Sequence, residues 1–378
     1  MLTTTKHKLQ RVGINQFGMD IDYLRKGIDA LDSKIVDLLN ERAKIVLKIG
    51  KIKKQNRAQV YVPHREQEVY SRITLQNKGP LSNECLVAIY RELMAGSLVL
   101  EKAIKVSYLG PEGTFSYLAA KQKFGSSVEY VPVRGIDDVF RDVAGGRSDY
   151  GIVPVENSTE GGIRETLNMF VEFDVKVCAE IILPIHHNLM AKCTKGKIKT
   201  VYSKLQILSQ CKNWLARNLP YAELIEVSSS AEAARIFEKV LKAEKEGQYS
   251  AIIANTEIAQ QYGLNILFKN IEDNPNNITR FFVLSKEYSA PSERDRTAMM
   301  CYVKNSAGAL LEILEPFKTY NINLTNIESL PTRKKAWEYC FYLDFEGHVS
   351  SEIVQKVLKE VSKKCFDMKI LGSFPKGD

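Results

Sequence analysis

Leu24–Lys53 reads LRKGIDALDSKIVDLLNERAKIVLKIGKIK, and its spacing decides what the first quarter of the chain is. Apolar residues recur at Leu24, Ile28, Leu31, Ile35, Leu38, Ile45, Ile49 and Ile52. Alternating steps of four and three mark one long helix with an apolar seam, suited to packing against other helices. The position that continues the series between Leu38 and Ile45 is Arg42. A guanidinium on such a seam is costly unless its charge is answered. Lys53 lies at the edge of the same stripe, and Arg25 stands beside its first residue. Taken alone, Arg42 reads as a partner of Glu41 or Asp37, or as a side chain reaching to solvent. Three cations along one helix, however, suit a ligand with two carboxylates, since Arg clasps a carboxylate bidentately and Lys acts as a point donor.

Working outward, Val62-Pro63 breaks the chain and His64–Gln76 reads as a second helix opening with Arg65-Glu66. Asn77-Lys78-Gly79-Pro80 ends it, and Ser82 caps a third helix over Asn83–Ile104. Ser97 falls in the middle of that helix's apolar side, with Glu101 one turn later. The first run, with the PHREQEVYSRI that follows, resembles the all-helical chorismate mutases over residues 20–104. The resemblance implies that Arg25 (from a partner subunit), Arg42 and Lys53 hold chorismate's carboxylates and ether oxygen. It places Arg65 and Glu66 at the ring hydroxyl, with Ser97 and Glu101 completing the pocket; Val62 stands where the family often has an acid. Such a rearrangement needs no nucleophile or metal, only a substrate held in its reactive conformer and donors aimed at the ether oxygen. Glu101 can donate only when protonated, so this activity is expected to weaken towards high pH. One long helix and two short ones cannot bury their seams alone, and a homodimer or higher oligomer is implied.

After Lys105 the texture changes. Val106–Leu109 is a short strand running into Gly110-Pro111-Glu112-Gly113-Thr114-Phe115-Ser116 and a helix. A second strand, Tyr150–Val155, leads into Glu156-Asn157-Ser158-Thr159-Glu160-Gly161-Gly162 and another helix. Two such polar turns present unpaired backbone N–H groups to an anion at strand ends. Neither is a nucleotide-binding fingerprint. Strands and helices keep alternating to Ala254, and Asn277-Ile278-Thr279-Arg280 then precedes an apolar strand. The segments GPEGTFS, VENSTEGG and NITRFFVLS, in that order, resemble prephenate dehydratase. The resemblance implies a two-lobed α/β unit, similar to periplasmic binding proteins. Thr279 would then be the catalytic hydroxyl that helps expel prephenate's ring hydroxyl as carbon dioxide leaves. Arg280 would orient a carboxylate or neighbouring acids, and Thr114, Asn157, Ser158 and His187 would line the cleft. Lys204-Leu205 replaces the family's usual His-Pro.

SAPSERDR at Ser289–Arg296 reads as a linker, and the remaining residues order as βαββαβ, a ferredoxin-like α+β unit. Gly308-Ala309-Leu310 and Asn326-Ile327-Glu328-Ser329-Leu330-Pro331, followed by WEYCFYLDFEGH, resemble an ACT domain. That implies phenylalanine as a feedback effector, bound by Gly308, Ala309, Leu310, Glu328 and Ser329, with Leu330 standing where the family usually has Arg. The expected multidomain chain thus has a disordered tail (1–18), an all-α domain (19–104), a two-lobed α/β domain (105–288), a linker (289–296) and an ACT unit (297–378).

The bulk numbers agree with a cytoplasmic enzyme. Seven dispersed cysteines without a CxxC pair argue against a disulfide framework or zinc site, and no metal or cofactor is expected. No run reaches the roughly 20 apolar residues of a membrane span, and the N-terminus lacks the apolar stretch of a secretory signal. Residues 1–104 hold 18 Lys/Arg against 11 Asp/Glu, most of the net charge of +8. Those charges lie within an apolar repeat, which favours an acidic small molecule over nucleic acid. An arogenate dehydratase, or a non-catalytic sensor of aromatic precursors, are the alternatives.

Overall fold

The computed structural model describes residues 21–56, 59–243, 249–304, 306–331 and 338–377; the expected tail lies outside them. The chain forms two compact units, one reaching to Val60 and including Leu100–Lys102, the other made of Tyr61–Val99 and Ala103–Asp378. In the first, α1 (Ile21–Gln55) is a single helix with Val46 as its buried residue. Its seam is largely exposed, with Ile28 at 57%, Leu31 at 58% and Leu38 at 64%. An apolar stripe of that length is suited to packing against another helix.

The second unit opens with α2 (Pro63–Gln76) and the body of α3 (Asn83–Glu101). These two helices pack with the α/β region that follows, so the expected boundary near residue 104 does not separate them from it. Tyr61 packs at a tilt on Phe124 and edge-on to Tyr150, and the Glu92 carboxylate accepts from the Ser126 backbone and hydroxyl.

The α/β region runs β1 (Lys105–Leu109), α4 (Phe115–Phe124), β2 (Glu129–Val133), α5 (Ile136–Ala144), β3 (Tyr150–Asn157), β4 (Gly161–Gly162), α6 (Arg164–Glu172) and β5 (Lys176–Pro184). A second lobe follows: β6 (Asn188–Ala191), β7 (Thr200–Ser203), α7 (Leu205–Gln210), α8 (Lys212–Asn218), β8 (Glu223–Glu226), α9 (Ser230–Ala243), β9 (Ser250–Ala254), α10 (Thr256–Gln261) and β10 (Ile266–Phe268). The chain then returns as β11 (Ile278–Ser285) into the middle of the first sheet, whose order is β2-β1-β3-β11-β5. The second lobe's sheet has the order β10-β6-β9-β7-β8. Two lobes joined by two crossings leave a cleft between them, and β11 is the strand that carries the chain back across it.

The C-terminal elements are β12 (Asp295–Lys304), α11 (Ala309–Thr319), β13 (Leu324–Pro331), β14 (Glu338–Glu346), α12 (Glu352–Ser362) and β15 (Asp367–Pro375), in an antiparallel sheet ordered β13-β14-β12-β15. One face packs on α11 and α12 through Met299, Cys301, Leu343 and Phe345. The other joins the first lobe's core through Met300, Leu330, Tyr342 and Phe374. Residues 289–296 are therefore not a free linker: Ser289 is buried, its backbone N–H reaches Ser373, and β12 begins at Asp295. Leu330 is buried in this shared apolar layer, which accounts for an apolar residue there. Gly372 brings β15 against β5 so closely that a Cβ would collide with the Val177 carbonyl.

Phe282 is fully buried, edge-on to Phe170 of α6 and 5.5 Å from the Phe374 ring of β15, so one ring ties lobe, helix and C-terminal sheet together. Phe282→Ala is expected to cost about 3–5 kcal/mol in denaturant unfolding of this unit. A loss below about 1 kcal/mol would contradict a shared core.

Candidate active site

Alternation along β11 sends Thr279 and Phe281 into a cavity of about 250 Å³ between the two lobes. Arg280, between them, points the other way and is not part of its lining. Thr279 is held by Asn157 at the end of β3: Asn157 Nδ2 donates to Thr279 Oγ1 at 2.8 Å and to Asn277 Oδ1 at 2.9 Å. The Asn157 Oδ1 accepts from the backbone N–H groups of Thr159 and Glu160, at 2.9 and 3.2 Å. Those two N–H donors fix which end of the amide is oxygen. With one lone pair of Thr279 Oγ1 occupied by Asn157, its hydroxyl proton is directed to another acceptor.

The cavity wall is made of polar groups from both lobes. Thr114 is the N-cap of α4, accepting from Tyr117 N at 3.3 Å and donating to Leu109 O at 3.0 Å. Ser228, Ser229 and Ser230 open α9 on the opposite side, with Ser229 Oγ accepting from Glu232 N. Helix N-termini from two lobes facing one cavity, with Lys204 on its wall, make it attractive to an anion. Glu160 spans the lobes, accepting from Gln206 Nε2 at 2.6 and 2.7 Å and from Gln210 Nε2 at 3.1 Å.

His187 completes this network. It lies in the connection between β5 and β6, not within a strand, and neighbouring His186 turns to Glu272 at 2.7 Å. His187 Nε2 meets Gln210 Oε1 at 2.8 Å. Since Gln210 spends its amide N–H on Glu160, its oxygen must accept, which places the His187 proton on Nε2. Nδ1 is then an acceptor, buried without a protein partner. Burial pulls the imidazole below its ordinary value, against a smaller opposing pull from the Gln210 bond.

Four residues named from the sequence, Thr114, Asn157, His187 and Thr279, line this one cavity. Ser158 does not: its hydroxyl ties β3 to β11, accepting from Ile278 N at 2.9 Å and donating to Asn276 O. Arg280 is no substrate ligand in this structure, because it is buried among acids on the far face of β11. Glu160, Gln206, Gln210 and the three serines went unassigned at the sequence level; the SSS preceding a helical run was the available signal.

The helical residues divide between the two units. In the first, Lys53 Nζ lies 2.9 Å from Glu101 Oε2 and donates to Val60 O at 2.8 Å. The Lys53–Glu101 contact is an ion pair by distance, without hydrogen-bond alignment at Oε2. Gly50 permits it: a Cβ there would lie 3.0 Å from Glu101 Cγ. Arg42 is half-buried, and exposed Arg25 pairs with Asp22 at 3.3 Å. In the second unit, Arg65 pairs with Glu68 and Ser97 Oγ donates to Leu93 O at 2.7 Å. Glu66 is buried and engaged by Tyr61, by Tyr70 and by Lys123 of α4 at 2.7 Å. Three donors satisfy its carboxylate, so within a single chain it braces α2 on α4 rather than facing a ligand.

On the C-terminal sheet, Gly308, Ala309, Leu310 and Ser329 border a cavity of about 370 Å³. Glu328 departs from that set. Strand alternation turns it to the opposite face, where it accepts from Gly162 N at 3.3 Å.

Residues 106–289 match the prephenate dehydratase family and residues 24–102 chorismate mutase type II. The bifunctional chorismate mutase/prephenate dehydratase of Aquifex aeolicus is 45% identical over 362 residues, 94% of this chain and 98% of that protein. The Stutzerimonas stutzeri protein of the same description is 42% identical, over 93% of this chain and 97% of its own. Among solved structures, prephenate dehydratase from Arthrobacter aurescens in complex with L-Phe superposes with a TM-score of 0.65 at 30% identity, covering 72% of this chain and 90% of that one.

The depressed His187 value sets a pH dependence. The native chain resists the proton that an unfolded His accepts near its ordinary 6.5, so stability should fall as pH drops through that value. His187→Gln is expected to flatten the acid-side slope between about pH 6.5 and 5 in denaturant titrations. An unaltered slope would contradict a buried, neutral imidazole.

Proposed function

The chain belongs to the bifunctional chorismate mutase/prephenate dehydratase family, and on that premise we propose which residues carry each reaction. The protein rearranges chorismate to prephenate and converts prephenate to phenylpyruvate, two steps of phenylalanine biosynthesis. The observation that carries the second assignment is the Asn157–Thr279 hydrogen bond at the cavity between the lobes.

In the dehydratase step the electron pair of the carboxylate C–C bond enters the ring as carbon dioxide leaves, and the ring C–O bond breaks. Oxygen departs as hydroxide, which is released to solvent and balances the charge lost with carbon dioxide. Aromatisation supplies the driving force, so the catalytic demand is to stabilise the leaving oxygen. Thr279 meets it: Asn157 occupies a lone pair of its hydroxyl and leaves the proton for the departing oxygen. His187 Nδ1, an acceptor without a protein partner, suits the ring hydroxyl's own proton. The helix starts at Thr114 and Ser229, with Lys204, take the carboxylates.

For the mutase, Lys53, Arg42 and Glu101 hold the carboxylates and ether oxygen. Arg42 and Lys53 are eleven residues apart, about three turns, so they project from one face of α1. Arg25 is seventeen residues before Arg42, roughly 25 Å along the axis and about 100° around it. It can serve such a pocket only from a second copy. That, with the exposed seam of α1, supports at least a homodimer.

The C-terminal βαββαβ unit fits an ACT domain, and the cavity beside Gly308, Ala309, Leu310 and Ser329 suits phenylalanine. The reading places the enzyme in the cytoplasm; among the described residues no helix is long and apolar enough to cross a membrane.

Thr279→Ala is expected to lower prephenate turnover about 10²- to 10³-fold and leave chorismate consumption unchanged, while Thr279→Ser keeps most activity. Lys53→Ala should do the reverse, abolishing chorismate consumption with prephenate turnover intact. A Thr279→Ala enzyme that still makes phenylpyruvate at the parent rate would overturn the dehydratase assignment. Saturating phenylalanine should slow the dehydratase; no change in rate or melting temperature would remove the effector reading.

A further inference from the structure

Behind Thr279, on the face of β11 turned from the cavity, lies a buried charge cluster that neither reaction uses. Arg280 Nε donates to Glu180 of β5 at 2.5 Å, and its Nη1 pairs with Asp344 of β14. Glu156 lies 3.7 Å from Nη1, and the guanidinium stacks on Phe282 at 4.9 Å. Arg296 of β12 reaches Glu180 at 3.3 Å, and Gly377 N donates to it at 2.7 Å. Glu180 and Asp344 side chains are fully shielded from solvent. Burial lifts the Asp344 carboxyl above its ordinary value, against the pull of Arg280.

Stability alone does not explain such a cluster, because desolvating several charges offsets most of what their attraction returns. Apolar side chains of similar shape would serve a core equally well. Location is the distinguishing feature. The pairing of β11 with β3 shifts register between Arg280 and Phe281, one residue beyond Thr279. A bulge bends the ladder locally and re-aims the side chains beside it. The extra residue is Val155 of β3, and Arg280, paired with Glu156 beside it, is the β11 residue that two carboxylates grip, one from β5 and one from the C-terminal sheet.

Resting on the dehydratase reading, we infer that Asp344 and Glu180 are positioning residues for that reaction: by clamping Arg280 they hold β11 in place opposite the β3 bulge and so aim the Thr279 hydroxyl. The C-terminal unit thereby supplies part of the catalytic scaffold, independently of any effector it binds. Asp344 touches no substrate; it acts through Arg280 on the strand that carries Thr279.

The test is full-length Asp344→Asn, which keeps the side chain's shape and leaves two Arg facing Glu180 and Glu156. Its kcat for prephenate is expected to fall about 10- to 100-fold with KM little changed, since an ångström-scale misplacement of a reacting group has that effect. Chorismate consumption by the same preparation should match the parent and serves as the folding control. The second variant, Arg280→Met with Asp344→Leu, replaces the pair by apolar groups that a structural role would tolerate. It should melt like the parent yet stay slow on prephenate. Parent-like kcat in either variant overturns the inference. Thr279→Ala, assayed alongside, separates the two failures: if it turns over prephenate at the parent rate, the dehydratase reading has failed; if it is inactive while Asp344→Asn is normal, only the positioning role has.

Discussion

A guanidinium cannot be left alone in a protein interior, and where Arg280 finds its carboxylates fixes much of this molecule. It lies on β11, the strand that returns from the second lobe into the first sheet, between β3 and β5. Its partners come from β5 and from the C-terminal sheet, so strand, lobe and C-terminal unit are registered to one another at a single point. Because side chains alternate, burying Arg280 on one face of β11 commits Thr279 and Phe281 to the other, where the cleft lies. Apolar packing of Phe282 against Phe170 and Phe374 supplies the bulk of the cohesion around this point. The charges supply direction.

The cavity follows from that commitment. Asn157 at the end of β3 reaches across to Thr279, and the turn after Asn157 carries Glu160 to the glutamines of α7. Lobe closure, threonine orientation and the histidine tautomer are thus linked through one run of hydrogen bonds, from Thr279 by way of Asn157, Glu160 and Gln210 to His187. Such a chain is rigid where each donor has one acceptor, and its two ends, the Thr279 hydroxyl proton and His187 Nδ1, are left for a ligand in the cavity.

Much of this was legible in residue spacing. The four-and-three seam of α1, the two polar strand-to-helix turns and the βαββαβ order appear in the structure as one long helix, two helix starts at strand ends, and a four-stranded sheet with two helices. Thr114, Asn157, His187 and Thr279 line one cavity. What the sequence obscured was side-chain direction. Adjacent residues of a strand cannot both face one site, so Thr279 with Arg280, and Glu328 with Ser329, could each contribute only one member to a pocket. Alternation was the signal that separates them. Glu160 and Gln210 act across lobes, at a range no local motif encodes. Asp344 carried a quieter sign, a lone acid within the apolar strand CFYLDF. Glu66 was hidden for another reason: its partner Lys123 belongs to a helix of the α/β region rather than to the helical segment around it.

The central claim is that one chain performs both chemistries. The most direct measurement supplies the purified protein with chorismate alone and follows prephenate and phenylpyruvate over time. The account predicts that chorismate disappears, prephenate rises and decays, and phenylpyruvate accumulates to match the chorismate consumed. Chorismate left intact, or prephenate accumulating with no phenylpyruvate, would contradict it.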